Sequence, residues 1–105
     1  MEDALRERIK STIEGSKVVL FMKGTKNFPQ CGFSANVAGI LKTHQVDFRD
    51  VNILTDPDLR QGLKEYSSWP TFPQLYVDGK LVGGSDIVTS LHESGELDGV
   101  LGKSG

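Results

Sequence analysis

Apolar residues recur every four positions at the start of the chain, at Leu5, Ile9 and Ile13, with charged residues between them. That spacing lays one apolar stripe along a helix, and Gly15 is placed to end it. The pattern then changes. Val18-Val19-Leu20-Phe21-Met22 is a short unbroken apolar run, expected of a central strand covered on both faces. A loop over residues 24–30 contains Gly and Pro and leads into a second helix over about 32–44, with Val37, Ile40 and Leu41 as its stripe. Alternation from 48 to 53, with Phe48, Val51 and Ile53 apolar around Arg49 and Asp50, predicts a second strand. Asp56-Pro57-Asp58 starts a third helix, because Asp suits the cap and Pro the first helical position. Leu59, Leu63 and Tyr66 are its expected buried face.

After Trp69-Pro70, segments 74–77 and 80–82 read as strands joined by Asp78-Gly79, a strong short hairpin signal. Gly83-Gly84-Ser85-Asp86 turns the chain into a further helix with Ile87, Val88 and Leu91 inward. A short helical piece over 97–101 follows, and residues 102–105 are expected to fray. The first half is a βαβ unit, whose strands should run parallel with a right-handed crossover. The second half is an antiparallel ββα unit. Together they predict one α/β domain over residues 1–105, a four-stranded mixed sheet flanked by helices on both faces.

Composition narrows the partners. The chain has 105 residues, 37% hydrophobic and 25% charged, with a net charge of −2, an ordinary balance for a globular protein large enough to fold without staples. Such a charge gives no reason to expect nucleic acid or an anionic membrane as partner. No apolar run approaches the ~20 residues needed to cross a bilayer. The acidic opening Met1-Glu2-Asp3-Ala4 is unlike a transit peptide.

Cysteine usage is the sharpest constraint. The chain has one cysteine, Cys31, so no intramolecular disulfide forms, as suits a reducing compartment: plastid stroma, mitochondrial matrix or cytoplasm. Cys31 lies after the first strand and before its helix, where open α/β sheets gather ligands. A helix N-terminus favours a thiolate over a thiol and lowers cysteine pKa values from roughly 8.5 towards ~3.5–7.5. The bland alternative, a small buried hydrophobe, sits poorly with the loop residues Phe28-Pro29-Gln30 before it.

Four motifs then fall in order on this architecture: Lys23-Gly24-Thr25, Cys31-Gly32-Phe33-Ser34, Trp69-Pro70-Thr71-Phe72-Pro73 and Gly83-Gly84-Ser85-Asp86. Together they resemble the monothiol glutaredoxins of the CGFS class, over about residues 5–101. The resemblance implies a thioredoxin-like fold and glutathione as ligand. It also implies a 2Fe-2S cluster held in a homodimer, each protomer giving one cysteine and one bound glutathione. Ser85 stands where many relatives have a second cysteine, so the chain offers no internal resolving thiol.

The resemblance also implies roles for particular residues. Lys23 and Arg60 would pair with the glycine carboxylate of glutathione, although each alone reads as an ordinary solvated charge. Lys64, one turn beyond, is expected to face solvent. The γ-glutamyl carboxylate would sit on the helix N–H groups opened by Ser85, with Asp86 accepting from the ammonium; simple capping by Ser85 is the alternative. A cis Phe72-Pro73 bond would leave the Phe72 backbone free to pair with glutathione, whereas a proline opening an edge strand needs no cis bond. Trp69 and Phe33 read mainly as packing, although Phe33 beside the sulfur would help cover a cluster. A two-iron cluster needs four ligands, and no His/Cys spacing suggests zinc instead. His44 and His92 read as isolated, with His44 explained by its helix C-terminus.

The function expected on this basis is cluster transfer to iron–sulfur acceptor proteins, with a BolA-type protein as a plausible partner. The alternative is glutathione-dependent thiol–disulfide exchange through Cys31. A third reading is a binding module with an inert thiol.

Overall fold

The computed structural model describes residues 1–102; the expectation of fraying lies outside the described residues for 103–105. Among the described residues five α-helices and four strands follow the predicted order: α1 (Asp3–Glu14), β1 (Val18–Met22), α2 (Gly32–Thr43), β2 (Arg49–Asn52), a 3-10 turn (Ile53–Thr55), α3 (Pro57–Ser67), β3 (Gln74–Val77), β4 (Lys80–Gly83), α4 (Ser85–Ser94) and α5 (Leu97–Val100). The strands form one sheet in the order β2-β1-β3-β4. β1 runs parallel to β2 and antiparallel to β3, and β3 pairs antiparallel with β4. The mixed four-stranded sheet is therefore as the patterning predicted.

The apolar run of β1 explains why the sheet is covered twice. Val18, Leu20 and Met22 pack with Val37, Leu41, Val88 and Leu97, under α2, α4 and α5. Val19 and Phe21 point the other way, into Ile9, Ile13, Leu59 and Leu63 from α1 and α3. Period-two geometry divides one strand between two cores. The Asp78-Gly79 hairpin turn has positive φ at both residues, 51° and 80°, the type I′ turn that matches strand twist.

Three expectations need correction. β2 ends at Asn52, and Ile53 opens the 3-10 turn while remaining buried. Tyr66 is 38% exposed, because α3 meets α1 through Gly62: a Cβ there would stand 2.8 Å from Leu5 Cδ2. The buried face therefore runs through Leu59, Gly62 and Leu63, and Tyr66 falls beyond it. Ile87 is likewise 38% exposed. It lies over Gly83, whose Cβ would be 2.7 Å from Ile87 Cδ1, while Val88 takes the inward position.

α3 begins as its sequence demands. The Asp56 carboxylate accepts the Leu59 amide at 3.1 Å and a bond from Arg8 on α1. Arg8 contributes most to holding Asp56 below the usual carboxylate range, and the Leu59 amide adds to it. Asp56→Ala should cost about 1 kcal/mol, the usual loss for an N-cap, lowering the melting temperature by about 4–8 °C in a domain of this size. Melting at acid pH should separate the variants least. The depressed pKa makes the carboxylate's contribution present above its unfolded value and lost as pH falls through the folded one.

Candidate functional site

Cys31 is the N-cap residue of α2, extended at φ −150° and ψ 137°, and half-buried. No cap hydrogen bond is closed onto its sulfur, yet its surroundings favour the anion. The Ser34 amide lowers the thiol pKa most; partial burial opposes it, and the Phe33 amide, the Lys23 charge and the Ser34 hydroxyl act with it. Ser34 is fully buried, and its Oγ accepts the Lys23 amide at 3.0 Å. One hydroxyl thereby joins the end of β1 to the first turn of α2.

A cavity of about 610 Å³ opens beside Cys31. Its wall brings together Lys23, Arg60, Phe72, Ser85 and Asp86, every residue expected to bind glutathione, with Cys31, Phe33, Trp69, Pro70, Thr71, Pro73, Gly84 and Ile87. Lys64 also lines it, contrary to the expectation that it faces solvent. Residues four apart share a helix face, so Arg60 and Lys64 turn to the pocket together.

Among the described residues, two buried donors of the wall have no hydrogen-bond partner: Arg60 Nε and Trp69 Nε1. An unpaired buried donor is costly, and both belong to residues that line the cavity. Trp69 lines the cavity as well as packing beside it. Phe33 is 63% exposed beside the sulfur.

The segment before β3 is held from beneath. Gln74 is fully buried; its Nε2 donates to the Trp69 and Thr71 carbonyls at 3.1 and 3.3 Å, and its Oε1 accepts the Tyr76 hydroxyl at 3.1 Å. Burial pushes the Tyr76 phenol up to about 12, so it remains a donor. The Phe72-Pro73 bond at the end of this segment is cis, as the resemblance implied.

α4 is capped by Gly84, not Ser85. The Ser85 hydroxyl instead accepts from Asn36 Nδ2 at 3.0 Å, and the same nitrogen reaches Thr89 Oγ1 at 2.8 Å. Asn36 thus ties α2 to α4 beside the sulfur, a role its exposed helical position did not advertise. A second groove continues over Asn36, Thr89 and Ser90 and shares Cys31, Phe33, Ser85 and Asp86 with the first.

Outside the residues that line either groove, His44 and His92 are not isolated. His44 Nδ1 lies 2.6 Å from Asp98 Oδ1, and its Nε2 lies 2.8 Å from His92 Nδ1. This pairing joins the C-terminal end of α2 to α4 and α5. Among the described residues no cluster of three His, Cys, Asp or Glu side chains is placed to hold a metal ion. No helix among them is long and apolar enough to cross a membrane.

Comparison with known proteins places this architecture. The model of the family described as Glutaredoxin matches residues 18–82. The chain is 54% identical over 101 residues to a probable monothiol glutaredoxin 2 of Rickettsia typhi, covering 96% of this chain and 91% of that one. It is also 54% identical over 99 residues to the rice (Oryza sativa subsp. japonica) monothiol glutaredoxin-S11, of which it spans 20% while 94% of this chain is covered. The solution structure of reduced poplar apo GrxS14 superposes with a TM-score of 0.82 at 56% identity, covering 93% of this chain and 90% of that one.

Proposed function

This chain belongs to the monothiol glutaredoxin family, and on that premise we propose that it binds glutathione beside Cys31 and carries a 2Fe-2S cluster between two protomers. The observation that supports the reading is a single activated sulfur at the mouth of a cavity whose cationic wall has donors to spare. Glutathione fits that donor set, with carboxylates at both ends and a thiol between. Lys23, Arg60 and its orphaned Nε would take the glycine carboxylate. The N–H groups at the start of α4 would seat the γ-glutamyl carboxylate, with Asp86 accepting from the ammonium. Phe72, buried in the wall, would pair with the cysteinyl backbone, bringing the ligand's sulfur to Cys31.

The cluster is cargo. A two-iron cluster takes four ligands, and each protomer would supply one cysteine and one glutathione thiolate. Small-molecule ligands on half the positions favour hand-over to iron–sulfur acceptor proteins, with a BolA-type protein as a partner in that relay.

Anaerobic incubation with ferrous iron, sulfide and glutathione should yield a coloured dimer by absorption spectroscopy and gel filtration. The same mixture without glutathione should leave colourless monomer. Equal cluster formation in both would overturn the shared-ligand reading. Lys23→Ala and Arg60→Ala should each weaken glutathione binding by about 1–3 kcal/mol, the scale of a charge-assisted contact, measured by calorimetry; unchanged affinity removes either residue from the site.

The lowered pKa of a half-buried Cys31 favours a second use of the same sulfur. Its thiolate would attack the glutathione sulfur of a mixed disulfide, releasing the protein thiol and leaving glutathione on Cys31. A second glutathione thiolate would then displace it as glutathione disulfide.

A further inference from the structure

Asn52 closes β2, lies outside the cavity wall and belongs to none of the four motifs. Its Oδ1 accepts two backbone amides, each at 3.0 Å. One comes from Leu54 and starts the 3-10 turn. The other comes from Gly24, 28 residues back along the chain.

The second bond has consequences at the sulfur. Gly24 is buried with φ +93° and opens the loop that leads from Lys23 to Cys31. That loop folds on itself through Thr25 N to Phe28 O, 3.2 Å, and Gln30 N to Lys23 O, 2.9 Å. Neither bond uses the Gly24 amide, which turns instead to Asn52. On the same side of β2, two residues earlier, Asp50 Oδ2 accepts the Lys26 amide at 2.7 Å. The loop is thus stitched to β2 on one side. On the other, Lys23 N is bonded to Ser34 Oγ in the first turn of α2.

We propose that Asn52 is a positioning residue for the reactive thiol: by holding Gly24 it keeps Lys23 and the Ser34 hydroxyl in register with Cys31, without itself touching the sulfur or its ligands. The role is chemically narrow. Both contacts need only an oxygen acceptor at the reach of Oδ1. Asp provides that oxygen. Ser can cap Leu54 two residues on, as short hydroxyl side chains do, but lacks the length to hold Gly24 as well. The inference rests on Cys31 being the working sulfur. Alkylating that sulfur requires neither glutathione nor cluster, so the two readings fail separately.

The test follows Cys31 alkylation by iodoacetamide against pH in the full chain, with backbone amide exchange read by NMR. In the unsubstituted protein the Gly24 amide should be protected. Asn52→Ser should keep Leu54 protected, expose Gly24, displace the rate profile to higher pH and slow alkylation about three- to tenfold near neutrality, a shift of up to one pKa unit. Asn52→Asp should react faster than Asn52→Ser. An unprotected Gly24 amide in the unsubstituted protein overturns the proposal whether or not the variants fold. So does a Ser variant with the original profile, or an Asp variant no faster than Ser.

Discussion

Cys31→Ser is expected to abolish both cluster assembly and thiol exchange while leaving a folded protein that still binds glutathione. The substitution changes one atom at a half-exposed cap position, and Ser is itself a favoured cap residue. The loss is therefore chemical rather than structural. A hydroxyl is not the soft ligand that an iron–sulfur cluster takes, and the nucleophile of disulfide exchange is a thiolate. Anaerobic reconstitution should stay colourless, a glutathione-coupled disulfide assay should fall to background, and calorimetry should still register glutathione. A cluster on the Ser variant would show that ligation lies elsewhere.

The same pair of proteins reports the thiolate through stability. The folded-state pKa of Cys31 is depressed, chiefly by the Ser34 amide. A depressed pKa stabilises the fold fully above the unfolded value, roughly 8.5, and the contribution is lost as pH falls through the folded one. The difference in melting temperature between the original chain and Cys31→Ser should therefore narrow as pH is lowered. A difference that stayed constant would place the sulfur in a neutral environment.

Gly24→Ala should be the most damaging single methyl near the site. The residue is buried at φ +93°, and a Cβ would stand 2.5 Å from Phe28 O and 2.6 Å from Gln30 N. Both are backbone atoms of the loop that delivers Cys31, so neither can swing aside as a side chain would. Strain of this kind costs about 1–3 kcal/mol before any clash, and about 1 kcal/mol lowers the melting temperature of such a domain by about 4–8 °C. A drop of roughly 10 °C or more is expected, with weaker glutathione binding because Lys23 and Cys31 flank the displaced loop. Gly32→Ala is the control, since nothing stands within 4 Å of its Cβ. If the two variants melt together, the loop is looser than its geometry implies.

The sulfur's surroundings show how far local pattern reached. Cys31 before a helix, Pro57 after Asp56 and the Asp78-Gly79 turn each announce a backbone state through their own chemistry, and each is found as read. Lys64 and Ile87 depart from their expected places for one reason: a helical wheel says which residues share a face, not which cavity that face meets. Tyr66 was displaced because Gly62, with no side chain to bury, is where α1 and α3 meet. His44 and His92 looked solitary because their partners lie 48 and 54 residues away. Asn36, Asn52 and Gln74 give no local signal, because a polar side chain on a helix or strand carries no sign of its distant partner.

Local physics thus determined this protein's elements, their order, the two-faced burial of β1 and the lone thiol at a helix start. Those features follow from residues near in sequence, through periodicity, capping and turn preference. Tertiary structure alone decided which charges share a cavity with that thiol, which donors were left unpaired in its wall and which side chains brace the loop beside it. Such relations join groups far apart along the chain, and only packing brings them within hydrogen-bond reach.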